Sequence, residues 1–444
     1  MASIEKRIIS ALLAKMRKRR GARMAPHGKL SVDSTAVVPP ARLREALFSD
    51  FAAVAELKRR WGLGADSLEN WERLWCRNPA LVGSGVKRPI GWVLEANGAI
   101  VAYLGNISLQ CRYGDRTLTA VTATAFVAEP PYRALAVTLA AAFYRQKSVD
   151  LFITSSAIEA SGKIALAFKC AALPESDYDT VRFWVLRSYP FAQVLMNELR
   201  VSRLLLPIGS ILAALAIRAD TIIRRRWPRR SAIRLAVSEI SLDDVGDDFQ
   251  TLWTEKIKEK TRLYADRSAA TLRWHFDIPG DRGRVRVLCC HKDGKLDGYA
   301  VVRSEVDPRA GLRTSTVADM IVRQDDPAVV HALLVAAYEH AKNEGSEIFQ
   351  IQGFTCDVRE VFSDWAPYQR KFPAHPYFYK ATDPVLHRVL GDPKAWYACP
   401  FDGDASLVRP SYSSCDSHAT FQRETESTQT VVAVVSESER THVS

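Results

Sequence analysis

The feature that most constrains this chain is an internal repeat with an offset of about 195 to 199 residues. Four landmarks of the first half recur in order in the second half: an aromatic helical stretch, a hairpin, an Ala-Ala-aromatic triplet and a strand that begins with an acidic residue. The paired segments are 74–79 with 273–279, 93–103 with 287–299, 141–143 with 336–338, and 150–152 with 347–349. Four matches in order at one offset indicate a duplicated structural unit.

The first half has the pattern of a mixed α/β unit. Apolar runs on either side of Asn97-Gly98 predict a hairpin, and a second strand pair follows across Gly114-Asp115. The predicted elements are a helical region at 41–78 with an N-cap in 66–69, strands at 91–95, 99–104, 107–113 and 117–127, a helix ending at 145, a strand at 149–154, a helix at 158–168 and a last strand at 179–186.

The stretch 122–146, TATAFVAEPPYRALAVTLAAAFYRQ, joins a strand directly to a helix. Residues 122–128 form a short apolar run with β-branched residues, and Pro130 and Pro131 end the strand because neither can donate a ladder hydrogen bond. The apolar period becomes helical from Tyr132. A strand that leads straight into a helix leaves backbone N–H groups unpaired at the turn, which favours binding of a phosphate.

The segment Arg133-Ala134-Leu135-Ala136-Val137-Thr138 resembles the signature of the GNAT acyltransferase superfamily: Arg or Gln, two residues, Gly, one residue, then Gly or Ala. The arginine and the spacing match, whereas Ala136 and Thr138 replace the glycines. The resemblance implies acetyl-CoA or a longer acyl-CoA as co-substrate. It also implies that the fourth strand parts from the fifth and that its backbone at Phe126, Val127 and Ala128 binds the pantetheine arm. Residues Arg133, Ala134, Leu135, Ala136, Val137 and Thr138 would then hold the phosphates. The alternative is a helix that docks on a strand and binds nothing.

The second copy differs from the family signature at the corresponding strand-to-helix turn. Its strand at 316–322 is followed by Arg323-Gln324-Asp325-Asp326-Pro327, in which Asp326 can cap the next helix and Pro327 can occupy its first turn. Two aspartates would repel a pyrophosphate, so this copy is predicted to bind no coenzyme. Over residues 45–400 the chain resembles tandem, FemAB-like acyltransferases with one degenerate half. The predicted fold class is α/β (α+β), with two tandem GNAT-like domains, each a mixed, mostly antiparallel sheet flanked by helices.

Five side chains are considered for the proton transfer that acyl transfer requires. Glu159 and Ser155, with Ser156 beside it, follow the fifth strand and could line the cleft, and Glu129 lies beside the phosphate loop. Asp319 lies in an apolar strand of the second half, where burial would raise its pKa. For each, the alternative is a cap or a structural polar contact. The tyrosine that often protonates the thiolate in this family has no counterpart between Ser155 and Phe168.

The net charge of +11 over 444 residues resides in two segments. Residues 1–29 carry +8 and residues 218–234 carry +6, which leaves −3 for the rest, so nucleic-acid binding is not expected. Residues 1–24 have the pattern of a basic amphipathic helix, typical either of an anionic membrane surface or of a solvated arm. The apolar stretch 204–217 is too short to span a bilayer and could lie in its interface, anchored by 224–227, or pack as an inter-domain helix.

The predicted domains are a basic arm and linker (1–40), GNAT-like domain 1 with the coenzyme site (41–190), an apolar and Arg-rich inter-domain segment (191–233), GNAT-like domain 2 (234–408) and a disordered tail (409–444). The eight cysteines are scattered and form no CxxC pair, which favours a reducing compartment. The histidines form no HExxH motif, and no metal site is expected. No secretory signal is evident, so a cytoplasmic protein, held peripherally at the inner membrane face, is expected.

Three functions remain open. The first is acyl transfer from acyl-CoA to an amine or hydroxyl of a small-molecule, polysaccharide or lipid-linked envelope precursor. The second is a non-catalytic GNAT-like scaffold that docks partners at a membrane surface, which the lost glycines favour. The third is aminoacyl transfer from charged tRNA, which would need basic grooves that the charge distribution does not provide.

Overall fold

The computed structural model describes residues 38–64, 66–82, 87–174, 177–229, 235–307 and 310–408, so most of the predicted arm and the whole predicted tail lie outside the described residues. The helices are α1 (Phe51–Arg60), α2 (Leu68–Trp71), α3 (Val137–Tyr144), α4 (Glu159–Ala167), α5 (Ser188–Glu198), α6 (Leu206–Arg224), α7 (Asp247–Glu259), α8 (Ala269–Phe276), α9 (Pro327–Asn343), α10 (Cys356–Ser363) and α11 (Pro384–Val389). The strands are β1 (Arg42–Glu45), β2 (Gly91–Ala96), β3 (Ala99–Tyr113), β4 (Arg116–Ala128), β5 (Leu151–Thr154), β6 (Ala171–Ala172), β7 (Thr180–Val185), β8 (Val237–Ile240), β9 (Leu263–Ala265), β10 (Val285–Lys292), β11 (Lys295–Val306), β12 (Arg313–Val322), β13 (Ile348–Gln352), β14 (Tyr368–Lys371) and β15 (Phe378–Ala381).

The first sheet has eight strands within the described residues, in the order β1-β2-β3-β4-β5-β15-β6, with β9 paired to the far end of β3. The turn between β2 and β3 has positive φ at Asn97 (50°) and Gly98 (75°), the conformation that an Asn-Gly pair favours in a two-residue hairpin. β3 and β4 are antiparallel, whereas β4 and β5 are parallel and joined through α3. Leu139 and Phe143 of α3 are buried against the sheet.

The second sheet repeats this design with seven strands in the described part of the chain, in the order β14-β7-β13-β12-β11-β10-β8. β10 and β11 form the hairpin at Asp293-Gly294, and β12 is parallel to β13 and joined to it through α9. The side chain of Asp326 accepts a hydrogen bond of 2.9 Å from the N–H of Ala328, and Pro327 occupies the first turn of α9, as predicted. Two mixed sheets flanked by helices confirm the predicted fold class.

The two halves exchange strands. β7, from the first half, pairs with β13 and β14 in the second sheet, and β15, from the second half, pairs with β5 and β6 in the first. The pattern at 179–186 correctly predicts a strand but places it in the wrong sheet. Alternation fixes which face of a strand is buried, whereas the sheet edge that it joins depends on distant residues. The halves therefore cannot separate without breaking both sheets.

The repeated aromatic segments face each other across the junction of the halves. Arg73 is buried, and its Nη1 donates a hydrogen bond of 2.9 Å to the carbonyl oxygen of Trp274. In return, the indole N–H of Trp274 donates a hydrogen bond of 2.7 Å to the carbonyl oxygen of Arg73. Arg73 also donates 2.6 Å to the carbonyl oxygen of Leu407. Arg73, directly before the first repeated aromatic segment, and Trp274, within the second, thus join the two halves.

Three local predictions need correction. Residues 42–45, assigned to a helix, form β1 and pair with β2. The two strands predicted at 99–104 and 107–113 are one strand, β3, because Gly105 keeps the extended backbone that pairs with Thr124. The apolar segment after residue 204 forms a helix of 19 residues, long and apolar enough to span a membrane by length and composition, because it continues through Arg218 and Asp220.

Candidate functional site

The gap between β4 and β5 is the feature on which the candidate site is built. Pairing of the two strands covers Ala120 to Thr122 on β4 and ends at Ile153 on β5, whereas β4 continues to Ala128. Phe126, Val127 and Ala128, the predicted pantetheine contacts, lie on this unpaired part of β4. Since β4 is paired to β3 on its other side, its free backbone edge faces the gap.

A bulge in β4 shapes this edge. Tyr103 of β3 pairs with Val127 and Gly105 pairs with Thr124, so the stretch of β4 between them holds one residue more than that of β3. Ala125 adopts φ 52° there, in the left-handed region that residues with a Cβ rarely enter. A bulge bends its strand, which accounts for the parting of β4 from β5. Val127 is buried, so it can offer only its backbone to a ligand in the gap.

The turn after β4 presents unpaired backbone donors. Pro130–Tyr132 form a single helical turn, and α3 begins at Val137. Within the described residues, the N–H groups of Ala134, Leu135 and Val137 donate to no backbone carbonyl. Thr138, the bulkiest departure from the family signature, donates its hydroxyl to the carbonyl oxygen of Leu135 at 2.7 Å, which directs the side chain back along the helix. The turn thus keeps the free amides of an anion site although its glycines are replaced.

Two arginines flank this turn. The guanidinium of Arg133 lies 5.4 Å from the ring centre of Trp61, at the end of α1. Arg60, which the sequence did not single out, forms an ion pair of 2.6 Å with Glu129. Glu129 therefore has a structural partner and makes no cap to the turn. The arrangement places positive charge beside the free amides, which favours an anionic ligand.

A carboxylate from the C-terminal segment lies at the end of β5. Asp404 accepts hydrogen bonds from the hydroxyl groups of Ser155 (2.9 Å) and Ser156 (2.7 Å). Asp404 and Ser155 are buried, whereas Ser156 is exposed. Burial raises the pKa of Asp404, and the two hydroxyl groups oppose the shift only in part. The serines were predicted from their position after the strand; Asp404 was missed because no pattern links it to β5.

Two tyrosines reach the same region from outside the window that the sequence suggested. Tyr144, at the end of α3, stacks on Phe168 with ring centres 5.0 Å apart, and the ring of Tyr178 packs against Tyr377 at 5.1 Å. Burial raises the pKa of Tyr144 and raises that of Tyr178 well above its ordinary value, so both remain protonated at neutral pH.

Glu159 and Asp319, the other predicted catalytic residues, do not join Ser155. Glu159 begins α4, is exposed, and pairs with Lys163 one turn later at 3.0 Å. Asp319 is buried in the second half, where it accepts hydrogen bonds from Arg267 Nε and the hydroxyl of Tyr299, each at 2.9 Å. Burial raises the pKa of Asp319 and the guanidinium of Arg267 opposes this. Glu159 and Asp319 thus each have a charged partner of their own.

The corresponding gap in the second half is filled by the chain itself. β12 parts from β13 after Val317, and the segment 397–399 lies between them. On one side, the hydroxyl of Tyr397 donates to the carbonyl oxygen of Met320. On the other side, the carbonyl oxygen of Ala398 accepts a hydrogen bond of 2.6 Å from the N–H of Phe354, just after β13. A coenzyme arm could enter this gap only by displacing a buried segment.

The second helix turn is closed as well. Asp325, before α9, accepts hydrogen bonds from Lys256 (2.6 Å), Lys260 (2.8 Å) and Arg262 (3.1 Å). The carboxylate occupies the cationic surroundings that an anion would otherwise use. Within the described residues, the second half therefore differs from the first in that residues 397–399 fill its gap and Asp325 closes its turn.

A cavity of about 160 Å³ also lies between the halves. Its lining includes Ser108 and Gln110 of β3, Asp266, Thr271 and His275. β4 lies on the other side of β3, so the cavity is separate from the gap between β4 and β5. In the part of the chain that the structure describes, no group of three or more His, Cys, Asp or Glu side chains is arranged to hold a metal ion.

Comparison with known proteins supports the fold. No family model and no curated protein matches the sequence. A solved structure of a probable N-acyltransferase from Enterococcus faecalis V583 is similar with a TM-score of 0.51 and 9% identity, over 78% of this chain and 73% of that chain. A GCN5-related N-acetyltransferase from Anabaena variabilis (TM-score 0.49, 10% identity, 78% and 74% covered) and N-myristoyltransferase from Saccharomyces cerevisiae with bound myristoyl-CoA (0.47, 11%, 81% and 84%) are too distant to carry an argument. At such identities similarity concerns the fold alone, and the fold of this chain is GNAT-like.

Proposed function

We propose that this protein transfers an acyl group from acyl-CoA to an amine or hydroxyl acceptor. The observation that carries the proposal is the unpaired end of β4, which leads directly into a helix turn with free N–H groups. A strand edge and an anion-binding turn in series suit a ligand with an amide-containing arm and a pyrophosphate, and coenzyme A has both. Because the second gap is filled by 397–399, one coenzyme per chain is expected.

Two groups of residues would bind the two parts of the coenzyme, the pantetheine arm and the phosphates. Backbone groups of Phe126, Val127 and Ala128 would pair with the amides of the pantetheine arm, as an additional strand does at a sheet edge. The turn from Arg133 to Thr138 would bind the pyrophosphate through its amides, with Arg133 supplying charge. Such contacts hold the thioester in place, and positioning accounts for much of the rate of a direct transfer.

Asp404 is the proposed proton acceptor. The acceptor nitrogen or oxygen attacks the thioester carbonyl and forms the new N–C or O–C bond, the C–S bond breaks, and coenzyme A leaves as a thiolate. The proton lost by the acceptor passes to the exposed hydroxyl of Ser156, which releases its own proton to Asp404. The raised pKa of Asp404 suits a base that works near neutral pH. Ser155 orients the carboxylate, and solvent protonates the thiolate.

Isothermal titration with coenzyme A tests the binding site. Arg133→Glu reverses a charge beside the phosphates, and an effect of about 2 kcal/mol, or about a 30-fold rise in Kd, is expected for partly screened charges at this range. Arg145→Glu, an exposed arginine just after the other end of α3, is the matched control and should change Kd by less than about threefold. Equal Kd values for the Arg133 variant and wild type would remove the coenzyme assignment.

The acceptor is proposed as an amine or hydroxyl of a small-molecule, polysaccharide or lipid-linked envelope precursor. A chain that binds no coenzyme A but still binds partners at a membrane would instead be a scaffold with this fold. The two functions are separated by turnover: only the transferase releases free thiol from acetyl-CoA in the presence of an acceptor, and Asp404→Asn should slow that release by about 10² to 10⁴.

A further inference from the structure

Helix α6 and the residues directly before and after it carry an unusual concentration of exposed apolar side chains. Of the 21 large hydrophobic residues that are exposed in the described part of the chain, nine fall between residues 204 and 227. They are Leu204, Leu205, Ile208, Ile211, Leu212, Leu215, Ile222, Ile223 and Trp227. Scattered apolar residues on a surface are ordinary, whereas a contiguous patch of this kind marks an interaction surface.

The patch is one face of α6. Ile208, Ile211, Leu212 and Leu215 have helical spacing on the exposed side, with exposed fractions of 50% to 62%. The opposite side packs on the protein: Ile217 is 8% exposed and lies in a cluster with Val185 of β7. Although α6 is long enough to span a membrane, its packed face holds it on the second sheet. Only one face is available, which suits a helix that lies in the plane of an interface.

The C-terminal end of α6 is fixed to the body of the protein. Asp220 accepts hydrogen bonds from Arg224 (2.7 Å), Arg226 (2.6 Å) and the hydroxyl of Tyr368 (2.7 Å). The guanidinium of Arg226 also lies 4.0 Å from the ring centre of Tyr368. These contacts keep the apolar face at a constant orientation on the protein surface.

The charges around the patch are almost all positive. Residues 198–229 contain seven arginines and two acidic residues, Glu198 and Asp220. Arg203 precedes α6, Arg218 lies among its exposed apolar residues and Arg225 follows it, and all three are exposed. Arginines along an apolar helix face attract anionic headgroups while the aliphatic side chains enter the acyl boundary. We propose that α6 docks this protein, in the plane of the surface, on an anionic membrane.

Co-sedimentation of the full-length protein with vesicles tests the proposal. Wild type should bind phosphatidylglycerol-containing vesicles and bind pure phosphatidylcholine vesicles at least about tenfold more weakly. Leu212→Glu with Leu215→Glu should weaken binding to the anionic vesicles by about tenfold or more. Leu166→Glu, at a leucine of α4 that is 55% exposed, is the matched control and should bind as wild type does. Arg203→Glu with Arg218→Glu should act only on anionic vesicles.

Three outcomes would overturn the proposal. Unchanged vesicle binding in the double-leucine variant would assign membrane binding to another part of the chain, such as the basic segment 1–24. Equal binding to neutral and anionic vesicles would remove the role of the arginines. A wild-type dimer that the double-leucine variant converts to a monomer, without vesicle binding by either, would show that a second copy covers α6. Binding is measured without coenzyme, so it is independent of the acyltransferase proposal.

Discussion

Replacing Asp319 tests whether this carboxylate has a structural role, in contrast to Asp404, the proposed proton acceptor. Asp319 was a candidate base from the sequence, but its side chain is fully buried and bonds to Arg267, Tyr299 and the thiol of Cys399, which lies 3.3 Å from Oδ1. Asp319→Asn removes one of the two carboxylates that neutralise Arg267; the other, Asp402, remains at 3.1 Å.

The size of the effect follows from that geometry. Breaking a buried ion pair from one side costs about 3 to 5 kcal/mol. Because Asp402 still faces Arg267 and the amide can retain part of the hydrogen bonding, the lower end, about 3 kcal/mol, is expected for Asp319→Asn. Because burial raises the pKa of Asp404, its ionised form is less stable in the folded chain than in water, and its charge destabilises the fold. Asp404→Asn removes that charge and should change the free energy of unfolding by less than about 1 kcal/mol.

The assay compares stability with turnover in both variants. Urea unfolding gives the free energy, and thiol release from acetyl-CoA gives the specific activity of the native fraction. Asp319→Asn should lose stability and keep activity, whereas Asp404→Asn should keep stability and lose about 10² to 10⁴ in kcat. The rise of wild-type kcat/KM with pH, as Asp404 ionises, should disappear in Asp404→Asn. Activity lost in Asp319→Asn at unchanged stability would refute this assignment.

Two further predictions concern the closed second half. Burial alone would raise the pKa of Asp325, but the charges and hydrogen bonds of Lys256 and Lys260 together outweigh burial and lower this pKa. The carboxylate therefore stabilises the fold above its unfolded pKa and loses that contribution as pH falls through its folded value. Asp325→Asn should therefore lower the free energy of unfolding, measured with urea, by about 3 to 5 kcal/mol at pH 7 and by progressively less in acid. A loss of stability that does not depend on pH would contradict the pairing of Asp325 with the lysines. Gly353→Ala should lower the free energy of unfolding by more than about 2 kcal/mol, because the added Cβ would lie 2.6 Å from the carbonyl oxygen of Ala398. Gly294→Ala, with a similar φ of 77° but open space around the Cβ, should lower it by about 1 kcal/mol. Equal losses of stability in thermal unfolding would mean that 397–399 does not pack tightly in the second gap.

Local chemistry made much of the fold predictable. The hairpins at Asn97-Gly98 and Asp293-Gly294 and the cap at Asp326 depend on residues next to one another, so the sequence specifies them directly. The parting of β4 from β5 was expected only through the family resemblance. The bulge at Ala125 was not predicted, since alanine carries no signal for a positive φ.

Long-range pairings account for what the sequence missed. The exchange of β7 and β15 depends on which sheet edges are open in the folded molecule, and neither strand differs in pattern from one that stays in its own half. Asp404 reaches Ser155 across 249 positions of the chain, and the segment 397–399 fills a gap that forms more than 40 residues earlier. Only the folded chain brings these residues together.

Amide hydrogen exchange with and without coenzyme A tests the central claim most directly. Added coenzyme should slow exchange in residues 123–128 and at Ala134, Leu135 and Val137, where free backbone groups gain partners, and leave residues 318–322 of the filled gap unchanged. Protection confined to the second half, or no protection in either segment at saturating coenzyme, would contradict a site between β4 and β5.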